Sequence, residues 1–339
     1  MSAATTKIPD TFRAYVFERY GDALQNIKLV SLPQAPLSPT HVRIKTHAFG
    51  VNPIDYKLVE VGHRFLPAEP TPEKPFRLGF DVAGTVVETG AEVSRLKVGD
   101  AVYAMTSFDA TGTFAEYVAL AAEFVAAKPA ALDFTHAAGL PVAGETSYQG
   151  LVTHGKLAPG HRVLVLGGSS ATGALAIQIA KALGAAHIAA TTSTRNVALV
   201  RSFGADEVID YTQEKWGEVL AAHSVDLVYD CGVEPQAWRG GDAQKVLKRA
   251  TGVFVTTAPH LGREVAAGGS AFVSFLTEPS ATVLDTLSAL VDAGKLVVPI
   301  DSVHAFEHLH DALKVQKSHR ARGKIIVQVV DNAEESASE

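Results

Sequence analysis

The sequence predicts an α/β protein in which a doubly wound parallel sheet accompanies a β-rich domain, and three stretches of its 339 residues carry that expectation. From Arg13 to about Leu120 the apolar residues fall in short runs, AYVF, HVRIKT, AGTVVE, AVYAM and FAEYVAL, separated by Gly, Pro and Asp as strands are by turns. Beyond Phe124, strand-like runs begin near Val163, His187, Glu207, Asp226 and Val253 with helix-length segments between them, the alternation of a parallel sheet wound both ways. Within that half, RVLVLGGSSATGALAIQIAKALGA (residues 162–185) joins an apolar strand to an almost wholly apolar helix through a loop of small residues.

Taken in order, the first domain is expected to span residues 1–124 and to be completed by 299–339. Residues 62–75 hold four prolines and few apolar partners, the composition of a surface loop over a cleft. Residues 125–298 form the second domain. Gly184, Gly204 and Gly294 stand where its helices need a left-handed C-terminal residue. A strand from Ala271 (AFVSF) and a helix from Pro279 to Ala293 close that domain. The chain then returns through HAFEHLHDALKVQKS, whose histidines from His304 to His310 alternate with Phe and Leu as on one amphipathic helix, and ends on RGKIIVQVV, a strand of the first domain. The final DNAEESASE is expected to be a frayed acidic tail.

Composition narrows the function classes. With 47% apolar residues the chain can bury a large core. No apolar run approaches the roughly 18 residues that span a bilayer, and MSAATTKIPD lacks a basic segment followed by an apolar one, so no membrane partner is expected and the cytoplasm is the expected compartment. Cys231 is the single cysteine, which excludes an intramolecular disulfide and a cysteine-cluster zinc site. A net charge of −6 with scattered Lys and Arg opposes a nucleic-acid partner. The thirteen histidines include no HExxH pattern.

The strand-loop-helix unit is the main chemical signal. Small residues let the backbone approach a pyrophosphate, and a helix starting near Thr172 turns unpaired N–H groups and a positive dipole end toward it. Gly167, Ser169, Ser170, Ala171, Thr172 and Gly173 are therefore candidate dinucleotide-binding residues. Ligands in such sheets bind outside the carboxyl ends of the strands, which points to a cleft between the domains. A site for NAD usually places Asp or Glu at the end of the second strand to accept from the ribose 2′-OH. Here that region reads AATTSTRN. Ser193, Arg195 and Asn196 can instead meet a 2′-phosphate, Arg195 with a permanent, forked charge, so NADPH is the expected cofactor. Tyr211, after the next strand, is placed to close over the adenosine phosphate.

Together with the domain order, GVNPIDYK, LGFDVAGTV, VGDAVYA, LPVAGETSYQGL, the phosphate loop and GKIIVQV resemble the medium-chain dehydrogenase/reductase superfamily across nearly the whole chain. The closest resemblance within it is to the zinc-independent quinone oxidoreductase branch, which includes zeta-crystallin-like proteins and plant alkenal and enone reductases. The resemblance implies a GroES-like catalytic domain and a Rossmann NADPH-binding domain. Zinc alcohol dehydrogenases of the superfamily carry a Cys three residues before an Asp and, later, Gly-His-Glu. Here the Cys position is Asn52, before Asp55, and the later motif reads Gly79-Phe80-Asp81, a donor set unsuited to zinc. No metal is expected. The branch commonly has a glycine where this chain has Ser170, so a Cβ crowds the pyrophosphate while the Ser170 and Thr172 hydroxyls offer donors to it.

Without a metal, the task is to align nicotinamide C4 with an electron-poor carbon and to stabilise the oxyanion that develops. The resemblance places Asn52 beside nicotinamide and substrate, Thr146 on the cofactor near its nicotinamide end, Cys231 at the nicotinamide ribose and Lys324 near the cofactor. Lys57 falls where enone-reductase-like members often carry Lys; it is a candidate for binding ribose or enolate oxygen, and desolvation would let it supply a proton. Asp55 either caps its turn, pairs with Lys57 or acts directly, Tyr56 is a weak candidate proton donor, and Asp81 is expected to be a structural acceptor. The expected activity is NADPH-dependent reduction of a small-molecule quinone or enone. The competing readings are an enoyl-thioester reductase and a non-enzymatic, zeta-crystallin-like structural or RNA-binding role. A homodimer or homotetramer is expected, paired through the strand near Ala271–Phe275 across a two-fold axis. Substrate contacts are expected in the loops 62–75 and 260–269.

Overall fold

The computed structural model describes residues 8–64, 66, 68–108, 112–258 and 262–329. The expected acidic tail lies outside these residues, as do Phe65 and Pro67 of the proline-rich loop and His260 and Leu261 of the later one. The structure divides into two compact units. One comprises residues 1–142, 279–288 and 300–339, the other residues 143–278 and 289–299. This division places residues 125–142 with the β-rich unit instead of starting the second domain at 125. The strand Val125–Ala127 pairs with Ala101–Met105, and the Val142 N–H donates to Asp81 Oδ1 at 2.6 Å. Residues 279–288 join the same unit, where the Tyr103 hydroxyl donates to the Leu284 carbonyl at 2.6 Å.

In the β-rich unit, Thr11–Phe17 is flanked by Lys28–Pro33 and Phe76–Arg77 in a three-stranded antiparallel sheet. A seven-stranded sheet has the order Ile300–Ala305, Lys324–Gln328, His41–Val51, Asp81–Thr89, Ala101–Met105, Val125–Ala127, with Tyr117–Ala121 also on His41–Val51. The alternating apolar positions seen in the sequence fill its cores: Val42, Ile44, Val82, Val86, Val102, Val118 and Leu120 on one side, Phe17, Phe49, Phe114, Leu309, Ile325 and Val327 on another. The terminal GKIIVQV does return to this unit. It pairs antiparallel with the third strand, Ile325 opposite Val51, and so sets Lys324 next to the residue that follows Val51.

In the second unit the strand order is Glu207–Asp210, His187–Thr192, Arg162–Leu166, Leu227–Asp230, Val253–Thr256, Ala271–Ser274, Gly262–Val265. All neighbours are parallel except the last pair. The order reverses between Arg162–Leu166 and Leu227–Asp230, so the loop after Leu166 opens at a topological switch point. Leu164, Leu166, Val228, Phe254 and Phe272 are buried against Trp216, Trp238 and Val246. Gly184, Gly204 and Gly294 have φ of +85°, +104° and +68°, as their places after helices require.

Two expectations are corrected. The strand Ala271–Ser274 is hydrogen-bonded on both sides, by Val253–Thr256 and Gly262–Val265, so it is not free to pair across a two-fold axis; the sheet edge is Gly262–Val265. The histidine-rich segment is not one helix. His304 ends on the strand Ile300–Ala305, Phe306–His308 make a single tight turn, and the helix runs over Leu309–Lys317.

Candidate active site

Asn52, Asp55, Asp81 and Lys324 gather in the β-rich unit, with relative exposures of 4%, 0%, 0% and 2%. Asn52 follows the strand His41–Val51 and caps the helix Pro53–Val61, whose first residue, a proline, has no N–H to satisfy. Asp55 reaches back so that its Oδ2 accepts from the Asn52 N–H at 2.6 Å. The Asn52 side chain lies in a closed ring. Its Nδ2 donates to Asp81 Oδ2 at 2.8 Å, and Lys324 Nζ donates both to Asn52 Oδ1 at 2.5 Å and to Asp81 Oδ2 at 2.7 Å. Gly50 makes room for it, because a Cβ there would meet Lys324 Cε at 2.6 Å and both Asp81 Oδ2 and the Ala138 carbonyl at 2.7 Å.

Burial pushes the Asp55 carboxyl well above its ordinary value, and the neighbouring Asp81 charge acts in the same direction, against the Asn52 N–H and Lys324. Among the described residues its Oδ1 has no hydrogen-bond partner. Of the three roles left open for Asp55, capping is the one the geometry supplies. Lys57 is exposed on the helix Pro53–Val61. Tyr56 is part of the apolar core with Phe17, Phe49 and Leu309. Lys317 Nζ stands 5.4 Å from the centre of its ring, and burial raises the phenol pKa, with Glu60 adding to it. Asp81 is the expected acceptor, and Phe80, at the position of the zinc dehydrogenases' His, packs on Phe108 with ring centroids 4.8 Å apart. Among the described residues no three His, Cys, Asp or Glu side chains gather as a metal site.

The second unit holds the phosphate-loop candidates. Gly167 has φ +91°, and a Cβ on Gly173 would meet the Gly167 carbonyl at 2.2 Å, so the helix Ala171–Ala182 approaches its loop as only glycine allows. Ser170 caps this helix: its Oγ accepts from the Gly173 N–H at 3.0 Å and donates to the Gly167 carbonyl at 2.8 Å. The Ser170 hydroxyl proton is thus directed at the loop's own carbonyl. With a φ of −71° its Cβ is accommodated in the loop. The open first-turn N–H groups of Ala171 and Thr172 and the glycine-shaped loop form a cradle that fits a pyrophosphate.

Next to it, Asn196, 4% exposed, donates from Nδ2 to Ser169 Oγ at 3.2 Å and Ser193 Oγ at 3.3 Å, linking the phosphate loop to the end of the second strand. Arg195 is exposed on the turn Thr194–Asn196, and Tyr211 is exposed just beyond Glu207–Asp210. Sequence reasoning missed Asp210, whose Oδ2 accepts from Thr194 Oγ1 at 2.5 Å and whose Oδ1 accepts from Thr212. Those bonds, the Thr194 one foremost, hold its carboxyl below the usual value. Strand pairing of Thr192 with Asp210 brings it there, a contact with no local sequence signal. Thr146 is buried, its Oγ1 2.7 Å from Thr277 Oγ1 and its carbonyl accepting from the Tyr229 hydroxyl at 3.2 Å. Cys231 follows Leu227–Asp230. Desolvation and then the Asp230 charge push its thiol up, so it stays protonated instead of becoming a reactive thiolate.

A phosphate cradle at the switch point of one unit and a buried, ordered amide in a β-rich unit define the class: a nicotinamide-dependent oxidoreductase. Residues 38–130 match the family described as Alcohol dehydrogenase GroES-like domain, and residues 203–327 that described as Zinc-binding dehydrogenase. The chain is 34% identical over 340 residues to the 2-methylene-furan-3-one reductase of Solanum lycopersicum, covering 97% of this chain and 82% of the relative. It is 35% identical over 335 residues to the chloroplastic NADPH-dependent alkenal/one oxidoreductase of Arabidopsis thaliana, covering 96% and 81%. The solved quinone oxidoreductase of Coxiella burnetii superimposes with a TM-score of 0.81 at 28% identity over 94% of this chain and all of that one. The chain belongs to the medium-chain dehydrogenase/reductase superfamily, in its quinone oxidoreductase and alkenal/one reductase branch. Relatives include chloroplastic and mitochondrial proteins, so kinship selects no compartment; among the described residues no helix is long and apolar enough to cross a membrane.

Proposed function

We propose that the chain is an NADPH-dependent reductase of quinones and α,β-unsaturated carbonyls that works without a metal. The observation that carries the cofactor choice is the end of the strand His187–Thr192: no carboxylate follows it directly, and Ser193, Arg195 and Asn196 do. Bound NADPH supplies the hydride. The loop from Gly167 to Gly173 holds the pyrophosphate on backbone N–H groups, Arg195 and the Ser193 hydroxyl take the 2′-phosphate, and Thr146 and the backbone at Cys231 line the nicotinamide end. Asn52 meets the oxygen of the substrate with an amide already fixed in direction. Quinones and enones need little more, because conjugation spreads the developing charge. The activities for which the tomato and Arabidopsis relatives are named support this substrate class. The donor set at Asn52 and Phe80 supports the metal-free reading.

The test is steady-state reduction of 9,10-phenanthrenequinone, an enone and crotonyl-CoA, each with NADPH and NADH, for the wild type and Arg195→Ala. The quinone or the enone turns over with NADPH, and the variant raises KM for NADPH by about tenfold or more while leaving that for NADH nearly unchanged. Equal effects on both cofactors would refute the 2′-phosphate assignment. Turnover of the thioester alone would replace the substrate class, a result the burial of Tyr56 within the core argues against.

A further inference from the structure

We infer that Lys324, together with Asp81, is a positioning residue that sets the polarity of the Asn52 carboxamide, so that Asn52 offers an incoming ligand an N–H and selects an oxyanion. The inference deepens the reductase reading and rests on it for the identity of the oxyanion, the enolate or hydroquinone oxygen formed on reduction.

A carboxamide can be turned end for end, and its two faces call for opposite ligands. Here the two ends are distinguished by charge. An ammonium, which can only donate, lies against one end, fixing it as Oδ1; a carboxylate oxygen lies against the other, fixing it as Nδ2. Lys324 and Asp81 bond each other and are fully buried, so the ring is held as a unit. Asp81 is held in turn by the Val142 N–H on its other oxygen. One proton of Asn52 Nδ2 is engaged by Asp81. Among the described residues the other makes only a stretched 3.5 Å contact, with the Gly50 carbonyl, which a charged oxygen can replace. Donation from the ammonium to Oδ1 draws electron density through the amide and makes that remaining N–H a stronger donor. Lys324 thus acts through Asn52, in place of the direct cofactor contact expected from the sequence.

The experiment compares the wild type, Lys324→Met and the double variant Asp81→Asn/Lys324→Met by thermal melting, kcat and KM for 9,10-phenanthrenequinone, NADPH affinity, and equilibrium titration with 4-nitrophenolate as an oxyanion probe. Lys324→Met strands the Asp81 charge and lowers Tm; removing both charges restores most of the Tm. The double variant keeps its NADPH affinity within about twofold, yet binds 4-nitrophenolate about tenfold more weakly and loses kcat by a similar factor or more. Recovery of probe binding and kcat along with Tm overturns the proposal and makes Lys324 purely structural. Absence of 4-nitrophenolate binding by the wild type also overturns it. A wild type whose probe binding is weakened in the double variant but which reduces neither quinone nor enone leaves the positioning role standing and removes the reductase reading.

Discussion

The two candidate regions are built on opposite plans. Around Asn52 nearly every polar atom is matched by another within the protein, in a buried ring of one amide, one carboxylate and one ammonium. Around Gly167–Gly173 the Ser170 hydroxyl bonds the loop's own backbone, donating to the Gly167 carbonyl and accepting from the Gly173 N–H, while the Ala171 and Thr172 N–H groups are left for a ligand. A buried, closed ring gives direction at a high desolvation cost; an open helix end gives affinity for phosphate at little cost to stability. Substitutions in the ring should register in folding, and substitutions in the loop in nucleotide binding.

The largest expected effect is in the ring. Gly50→Ala drives a methyl into Lys324, Asp81 and the Ala138 carbonyl and should cost about 3 kcal/mol in denaturant unfolding, with NADPH affinity nearly unchanged in the folded fraction. Gly173→Ala reverses the pattern. Its methyl collides with the Gly167 carbonyl, and displacement of the loop should weaken NADPH about tenfold in a fluorescence titration, or about 1.4 kcal/mol. If Gly173→Ala unfolds the chain without touching NADPH affinity, the contrast between the regions fails. Ser170→Ala should cost about 1 kcal/mol of stability through loss of the cap and change NADPH affinity less than Gly173→Ala does, because the hydroxyl is already engaged by the loop.

The smallest effect at acid pH, and the most diagnostic, concerns Asp55. Its carboxyl titrates above its ordinary value of 3.8 in the folded chain, so the folded state holds its proton after the unfolded state has released it. Its contribution to stability is therefore complete below about 3.8 and declines as pH rises toward the folded-state pKa. Asp55→Asn should match the wild type near the acid end and lack this decline, so unfolding measured from pH 4 to 8 should show the variant gaining relative to the wild type as pH increases. Parallel curves would mean that Asp55 is ionised in the folded chain.

The second unit was largely legible in the sequence because its signals are local. The strand-loop-helix unit sits where RVLVLGGSSATGALA placed it, the helix starting at Ala171. The glycines at 184, 204 and 294 adopt the left-handed conformations their positions demanded. What could not be read were pairings set by tertiary register. Lys324 and Asn52 meet because Ile325 is opposite Val51, and Asp210 reaches Thr194 because two strand ends are aligned. The sheet edge was misplaced for the same reason: Gly262–Val265, exposed throughout, lacks the apolar alternation that marks a strand, yet it covers Ala271–Ser274.

The return of the final strand also bears on how the protein is made. Asn52 precedes Lys324 by 272 residues, an interval of tens of seconds at ribosomal elongation rates. Until Lys324 is made, a nascent chain carries Asp81 without its counter-charge and His41–Val51 without the neighbouring strand Lys324–Gln328. The ring can close only once Lys324 has been made, so a ribosome stalled just short of residue 324 holds a chain that already contains the loop from Gly167 to Gly173 but not the ammonium that bonds Asn52 and Asp81.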